Sequence, residues 1–194
     1  MNNITCVRNA AERLVPTTIN GQSVTPYMGV GKFRPTGRKY GPPIATCADY
    51  PADGNKLQLD LKTALLNAGL KDGVTISTHH HFRNGDLIAN QVFDIAAELG
   101  IKDLVWAPSA SFPCHKPIIK HLESGVVHHI EGSMNGDLGR FCSEGNMRGV
   151  GVLRSNGGRY QAIHDGELHI DIAVIAAPVA DSFGNANGLY GPAA

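Results

Sequence analysis

The chain has 194 residues, of which 42% are apolar and 18% charged, a balance typical of one globular domain with or without an extension. Its 17 basic and 17 acidic side chains cancel, which excludes the broad basic face of a nucleic-acid or membrane-surface protein, so neither is an expected partner. The four cysteines are far apart and form no CxxC pair, which predicts a reduced protein. The chain has no apolar run near the ~20 residues of a membrane helix and no signal-peptide pattern, so we predict that it is cytoplasmic.

The first 55 residues are rich in proline and glycine and lack helical or strand periodicity. We predict that residues 1–55 form an irregular N-terminal arm, wrapped on the body of the protein or on a partner. A basic cluster in this arm, between Lys32 and Lys39, is interleaved with aromatic residues, and a solvated surface loop is its simplest interpretation.

Residues 56–194 alternate helical and strand patterns. The predicted elements in chain order are a helix between 57 and 70, a strand at 74–77, a helix at 87–99, a strand at 103–107, a helix at 114–123, a strand at 126–130, one or two helical turns between 138 and 148, a strand at 150–153, a short helix at 158–164 and a strand at 172–177. This alternation predicts an α/β domain with a mostly parallel open sheet flanked by helices.

Polar loops are expected to meet at one edge of this sheet, because parallel strands end at a shared edge where ligands bind. The five loops that follow the predicted strands are rich in glycine, asparagine, aspartate, serine or histidine, and they span residues 79–86, 108–113, 132–139, 154–159 and 179–188. The connections at the opposite edge are short and bland. The carboxyl edge is therefore the predicted site.

The first of these loops holds three adjacent histidines, an arginine, an asparagine and an aspartate. In an extended chain His79 and His81 would face one side and His80 the other. A metal site would need a third ligand that no spacing supplies, so we favour either ordinary hydrogen-bonding histidines or a substrate site with imidazole donors. Arg83 is suited to clamp a carboxylate or phosphate, or lies idle at the surface; Asp86 is either a helix cap or a site residue.

Three further loops carry candidate ligand groups. Adjacent glycines within 155–159, before a helix, allow a close backbone approach to an anion, although a plain turn explains the same residues. The same two interpretations apply to residues 132–137. Residues 181–188 suit tight turns and also a substrate lid. No Ser-His-Asp set can be assembled from sequence order, and Glu144 and Glu167 are expected at helix surfaces.

The run Thr78-His79-His80-His81-Phe82-Arg83-Asn84-Gly85-Asp86 resembles the HHH-x-RNGD signature of the citrate lyase alpha subunit, a citrate CoA-transferase. The arm over 8–40 agrees, and residues 181–188 are similar to the D-x-x-G-N-A-x-G loop of CoA-transferases. The resemblance covers essentially the whole chain and implies the N-terminal domain of the CoA-transferase (NagB/RpiA-like) fold. With the loop-like ending at 188–194, it implies the N-terminal half of a longer subunit, truncated before a second related domain.

The resemblance implies an activity: transfer of an acyl-carrier-protein thiol from acetyl to citrate, giving a citryl thioester and acetate, with citramalate left open as the substrate. It implies exchange without a covalent glutamyl intermediate, and an inactive fragment if the acyl-transfer residues lie elsewhere. No metal and no cofactor bound by this chain are expected; the substrate carries a CoA-like, dephospho-CoA-derived thiol. The implied partners are acetyl-acyl carrier protein (gamma subunit) and the citryl-thioester lyase (beta subunit), in homo- and hetero-oligomers.

In the light of this resemblance, His79, His81 and Arg83 are predicted to be catalytic and to contact citrate carboxylates or the thioester oxygen. The predicted substrate- or thioester-binding residues are His80, Asn84, Gly85, Asp86, Asn135, Gly136, Ser155, Asn156, Gly157, Gly158, Arg159, Asp181, Asn185, Asn187 and Gly188. One rival interpretation is a sugar-phosphate isomerase, with Asp86 or Asp181 as its base and 155–158 as its phosphate loop. Another is a non-catalytic assembly subunit.

Overall fold

The computed structural model describes residues 5–26, 52–80 and 83–189, which lie in ten strands, five α-helices and the loops between them. The strands are β1 (Cys6–Arg8), β2 (Leu14–Pro16), β3 (Thr18–Ile19), β4 (Gln22–Ser23), β5 (Thr75–Thr78), β6 (Leu104–Pro108), β7 (Val127–Ile130), β8 (Ile172–Val174), β9 (Val179–Ala180) and β10 (Ala186–Asn187). The helices are α1 (Leu61–Asn67), α2 (Ile88–Glu98), α3 (Ile119–Ser124), α4 (Gly136–Ser143) and α5 (Asn156–Asp165), with 3-10 turns at Arg83–Gly85 and Pro113–Ile118.

The centre of the molecule is a parallel sheet of four strands in the order β7-β6-β5-β8. The chain runs from β5 through β6 to β7 on one side, and then returns to add β8 on the other side of β5. The strand order thus reverses next to β5, the position at which open α/β sheets bind ligands. The α/β class and the parallel sheet predicted from the sequence are confirmed.

One face of the sheet carries the hydrophobic core. The register places Ile130, Trp106, Ile76 and Ile172 in one row across the four strands, and each is at most 5% exposed. Helix α2 packs on this row, where the Phe93 ring meets Trp106 edge to face at 5.8 Å. Buried apolar area of this kind supplies most of the free energy that holds a sheet and helix together.

The opposite face is covered by α5, where Ala162 packs with Ala107 and Leu168 in a smaller cluster. Small side chains on β5 and β6 let α5 lie close to the strands. As a result, a long polar side chain of α5 reaches the carboxyl edge, as described below.

The first predicted helix is shorter than the leucine spacing indicated. Asp60 starts α1, because its Oδ1 accepts the Thr63 N–H at 2.7 Å and satisfies a free amide of the first turn. Leu57 and Leu59 therefore precede the helix, and they are 67% and 92% exposed. The prediction that they belong to a core-facing helix was wrong, because the cap and not the apolar spacing sets the helix start.

The strand predicted at 150–153 is reduced to one bridge, in which Val152 pairs with Glu131 in parallel. Val152 N–H donates to Ile130 O at 3.1 Å, but the segment does not continue as a ladder. Gly149 N–H also donates to His128 O at 3.3 Å, so the segment follows β7 through isolated hydrogen bonds and not as a regular strand. The last predicted strand also ends early, at Val174 instead of residue 177.

The described part of the N-terminal arm contains two short antiparallel pairs, β1 with β2 and β3 with β4. Asn20, in the turn between β3 and β4, donates its Nδ2–H to Met147 O at 2.7 Å and to Gly149 O at 3.0 Å. This turn therefore docks on the body beside β7. The basic cluster between Lys32 and Lys39 lies outside the described residues.

Within the described ranges, no helix is long and apolar enough to cross a membrane. In the same ranges no group of three or more histidine, cysteine, aspartate or glutamate side chains is placed to hold a metal ion.

Candidate functional site

The carboxyl end of β5 presents two histidines that were predicted from the sequence. His79 is exposed and its N–H donates to Val174 O at 3.4 Å, which extends the pairing of β5 with β8. His80 is half-buried, and its ring stacks on that of His79 with centroids 4.5 Å apart. The alternation that an extended chain would give these side chains does not apply here, because β5 ends at Thr78. His81 lies outside the described residues, and its predicted role stays a prediction.

Ser109, in the loop after β6, fixes the position of His80. Its hydroxyl oxygen accepts the His80 N–H at 3.1 Å and lies 2.7 Å from the His80 Nδ1. Ser109 thus contacts both the backbone and the ring of His80, because a hydroxyl can accept one hydrogen bond and donate or accept another. Sequence reasoning did not identify Ser109, although its place directly after a strand at the predicted edge was a usable signal.

Residues 83–86 turn the chain from β5 into α2. Arg83 is exposed and has a φ of +49°, which is uncommon for a residue with a side chain. Asn84 Oδ1 accepts the Cys114 N–H at 3.0 Å. An added Cβ at Gly85 would meet nothing within 4 Å, so the fold itself does not require this glycine. The turn therefore presents a guanidinium and an open stretch of backbone at the edge.

Asp86 is buried, with 3% exposure, and its Oδ1 accepts the N–H of Ile88, the first residue of α2, at 2.9 Å. It satisfies a free amide of the first turn as predicted, but from one position before the N-cap, which is Leu87. Its Oδ2 lies 3.2 Å from His115 Nε2. Direct substrate binding by Asp86 stays a prediction, and both of its oxygens have protein partners in the fold.

His115 is fully buried and was not predicted from the sequence as a site residue. Its Nδ1 accepts the Phe112 N–H at 2.9 Å, so the imidazole proton lies on Nε2 and is donated to Asp86. Burial lowers the pKa of His115, and the nearby Asp86 offsets this only in part. His115 is thus a neutral donor that joins the loop after β6 to the loop after β5.

Arg159, predicted as a binding residue, extends from α5 across the ends of three strands. Its Nη2 donates to Ser77 Oγ and to Ala107 O, each at 2.9 Å, and its Nη1 donates to Glu131 O at 3.4 Å. Burial lowers the pKa of this half-buried guanidinium, as does the neighbouring Arg154. The structure therefore shows Arg159 joining β5, β6 and the end of β7.

Glu131 follows β7 at the same edge and was not identified from the sequence. Its carboxylate accepts hydrogen bonds from Arg154 and, at 3.4 Å, from His129. The pKa of Glu131 is lowered chiefly by the His129 contact and then by Arg154. The cluster places two arginines and one glutamate at the carboxyl edge. Glu144 and Glu167 are exposed as expected, but neither lies within a helix, because α4 ends at Ser143 and α5 at Asp165.

The N-terminus of α5 contains the glycine pair predicted from the sequence. Ser155 caps the helix by accepting the Gly158 N–H at 3.0 Å, and Asn156 is its first residue. A Cβ added at Gly158 would lie 3.1 Å from Ser155 Oγ, whereas one added at Gly157 would meet nothing within 4 Å. Gly158 is thus explained by the cap. Gly157 has no such structural reason, and its open side leaves room for a ligand.

Two other predicted residues help to shape the loops. Asn135 donates its backbone N–H to Ser111 Oγ at 2.9 Å and its Nδ2–H to Ser111 O at 2.8 Å. Gly136 has a φ of +62° and lies against Pro113. These contacts join the loop after β7 to the loop after β6; the two residues' role in binding stays a prediction.

The predicted lid over 181–188 is the hairpin that joins β9 to β10. Asp181 Oδ1 accepts the N–H groups of Phe183 and Asn185 at 2.9 Å, and Oδ2 accepts Asn185 Nδ2–H at 2.8 Å. The bonds from Asn185 lower the pKa of Asp181. Asn187 Oδ1 accepts the Leu189 N–H at 3.2 Å, beside Gly188. These predicted residues are engaged in the hairpin itself.

The hairpin contacts the segment before α1. Ser182 O accepts the Lys56 N–H at 2.6 Å, and the Phe183 ring lies against Gly54. Four of the five predicted loops are therefore linked to one another at the carboxyl edge, through Ser109, Asn84, Asn135 and Arg159. The fifth predicted loop, residues 179–188, instead contacts residues 54–56.

At the level of chemistry, the linked loops bring imidazole, guanidinium and amide donors to one edge of the sheet, near the point where the strand order reverses. Such donors suit a carboxylate-bearing ligand and the oxyanion that develops when an acyl group is transferred.

Comparison with known proteins points to one family. The family model described as citrate lyase, alpha subunit (CitF), matches residues 54–194. The citrate lyase alpha chain of Escherichia coli K12 is 42% identical over 152 residues, which are 78% of this chain and 30% of that protein. The citrate lyase alpha chain of Klebsiella pneumoniae is 39% identical over 169 residues, 87% of this chain and 32% of that protein.

A solved structure described as the alpha subunit of citrate lyase from Streptococcus mutans, in complex with citrate, has the same fold, with a TM-score of 0.67 and 41% identity. The match covers 79% of this chain and 29% of that chain. This chain thus spans about three tenths of the length of these relatives, less than the half expected from the resemblance. The isomerase and assembly-subunit interpretations are not favoured by these matches. The chain belongs to the citrate lyase alpha subunit family.

Proposed function

We propose that this chain contributes the citrate-binding part of a transferase that moves a thiol carrier from an acetyl thioester to citrate, giving a citryl thioester and acetate. Three facts support the proposal: membership of the citrate lyase alpha subunit family, a similar structure described in complex with citrate, and the donor-rich carboxyl edge. The observation that carries it is the exposed Arg83, with its φ of +49°, three positions after His80, whose ring stacks on that of His79.

The donors at this edge match the needs of the exchange. Citrate has three carboxylates, and a planar guanidinium such as that of Arg83 binds one of them with two parallel bonds. A second carboxylate oxygen attacks the acetyl thioester carbonyl and expels the thiolate, which leaves a mixed anhydride; the thiolate then attacks the citryl carbonyl and acetate departs. An oxyanion forms in each step, and we assign its stabilisation to imidazole N–H groups of the His79-His80-His81 run.

No cofactor on this chain is needed for such a step, because the reactive sulfur belongs to the substrate. We place that sulfur on a dephospho-CoA-derived group of an acyl carrier protein, the gamma subunit, and pass the product to a citryl-thioester lyase, the beta subunit. The working form is then a homo- and hetero-oligomeric complex in the cytoplasm, without nucleic acid or membrane as a partner. Residues 56–194 supply the α/β domain and residues 1–55 the arm.

The proposal is tested with Arg83→Ala in the natural polypeptide that carries this sequence. Citryl-CoA formation from acetyl-CoA and citrate is followed by mass spectrometry, and citramalate is run in parallel to decide between the two acids. Loss of a charged bidentate contact should raise the KM for citrate by about tenfold or more, while the KM for acetyl-CoA stays unchanged. Arg83→Lys should recover only part of the loss.

Arg13→Ala is the matched control, because Arg13 is also exposed but lies in the N-terminal hairpin region. An unchanged citrate KM in the Arg83→Ala variant would remove Arg83 from the site. Absence of citryl-CoA with the parent protein, in the presence of its carrier protein and both acids, would refute the proposed activity.

A further inference from the structure

We infer that His115 is a positioning residue for this reaction, because it holds the HHH-x-RNGD loop in place through Asp86. The inference rests on the proposed function. The two side chains are 29 positions apart in the sequence, and they meet between the loops that follow β5 and β6. Neither is exposed enough to meet a substrate: Asp86 is 3% exposed and His115 is fully buried.

The contact belongs to a set of hydrogen bonds that joins the two loops. Beside the bond of 3.2 Å between His115 and Asp86, the Cys114 N–H donates to Asn84, and the Cys114 carbonyl accepts from Asn90 at 2.9 Å. The Cys114 thiol donates to Asp86 O at 3.3 Å. The segment that begins at Arg83 is thus held along its length by residues 114 and 115.

The direction of the central bond is fixed. His115 Nδ1 accepts the Phe112 N–H, so Nε2 carries the proton and points to Asp86. Reversal of the tautomer would put two N–H groups face to face at Phe112. Because the two ring nitrogens cannot exchange their donor and acceptor roles, the imidazole joins the Phe112 amide to the Asp86 carboxylate in one fixed orientation.

The link between His115 and Asp86 has a consequence for Arg83, which lies three residues before Asp86. Its φ of +49° is sparsely populated and persists only where the surroundings hold it. Packing alone does not call for a buried carboxylate and imidazole, since apolar residues of similar volume often replace such pairs without loss of stability. The geometry therefore points to the placement of Arg83 as the role of the pair.

Two substitutions separate the two bonds of His115. His115→Gln keeps an N–H donor at the position of Nε2, whereas His115→Asn keeps an acceptor at the position of Nδ1 and loses the bond to Asp86. If the pair positions the loop, His115→Asn lowers kcat/KM for citrate per folded molecule by about 10- to 100-fold, the range seen when a reacting group is displaced by about 1 Å. His115→Gln recovers most of that loss.

A structural role alone would lower the melting temperature of both variants and leave kcat/KM per folded molecule at the parent value, and that result would overturn the inference. Asp86→Asn is the second variant, in case His115→Asn does not fold. It keeps an acceptor for Ile88 N–H but presents an amide N–H to His115 Nε2–H, and the same loss of kcat/KM is expected.

Labelling of Cys114 gives a readout that does not depend on activity. Its thiol donates to the backbone of the held loop and burial raises its pKa, so it should react slowly with iodoacetamide in the parent. Mass spectrometry of the Cys114 peptide should show roughly tenfold faster labelling in His115→Asn than in His115→Gln. Equal rates would overturn the inference even if the parent protein lacks the proposed transferase activity, so the two failures are distinguishable.

Discussion

Gly157→Ala separates a structural glycine from one that makes room for a ligand. Gly157 is the second residue of α5, its φ is not in the left-handed region, and a Cβ added there would meet nothing within 4 Å. Alanine in a helix is favoured over glycine by up to about 1 kcal/mol, and less in the first turn, so we expect a gain of roughly 0.5 kcal/mol. For a domain near this size that gain raises Tm by about 1–2 °C.

The same methyl group would obstruct a ligand that approaches the backbone at the start of α5. We therefore expect Gly157→Ala to raise Tm and to raise the KM for citrate or acetyl-CoA, a combination that a folding defect cannot produce. Gly158→Ala is the matched control. Its Cβ would lie 3.1 Å from Ser155 Oγ, so the gain in helix propensity should be offset by strain at the cap.

The stability is measured by thermal unfolding followed by circular dichroism, and the KM values by the citryl-CoA assay. A fall in Tm for Gly157→Ala would show that the open space beside Gly157 is misjudged. Unchanged KM values for both substrates would show that no ligand passes over this turn.

Three further predictions concern the edge, the core and the pH dependence. Ser109→Ala removes the partner of His80 Nδ1, and kcat/KM for citrate should fall by about tenfold with little change in Tm; an unchanged pH profile and rate would exclude an orienting role. Phe93→Ala should cost about 3–5 kcal/mol in urea unfolding, because Phe93 and Trp106 are fully buried and in contact; a cost below about 1 kcal/mol would contradict this packing. Burial lowers the pKa of His121 below its ordinary 6.5 despite the nearby Asp94. The unfolded state therefore binds more protons, so stability is complete above about pH 6.5 and falls as the pH drops towards the folded pKa; His121→Gln should flatten that fall in urea titrations at pH 5 to 7.

The α/β class and most helix and strand positions followed from local patterns. The β-branched residues before the histidines and the apolar spacing over 87–99 each reflect the backbone preference and the buried face of a single element. Two predicted elements differ from the structure: the start of α1 and the strand at 150–153. Asp60 caps α1 after Leu57 and Leu59, and the segment at 150–153 forms only one bridge, between Val152 and Glu131.

The sequence also placed the candidate site at the carboxyl edge, because loops after parallel strands share that edge whatever their length. It did not show which side chains bind one another. Ser109 meets His80 and His115 meets Asp86 across 29 residues, and Arg159 reaches Ser77 across 82.

Those pairs exist only when β5 and β6 lie side by side and α5 covers the second face of the sheet. The sequence by itself therefore determined the types of donor that line the edge of this protein. The tertiary structure decided which donors are exposed and which form hydrogen bonds between the loops. The reason is that a hydrogen bond depends on distance and direction in space and not on spacing along the chain.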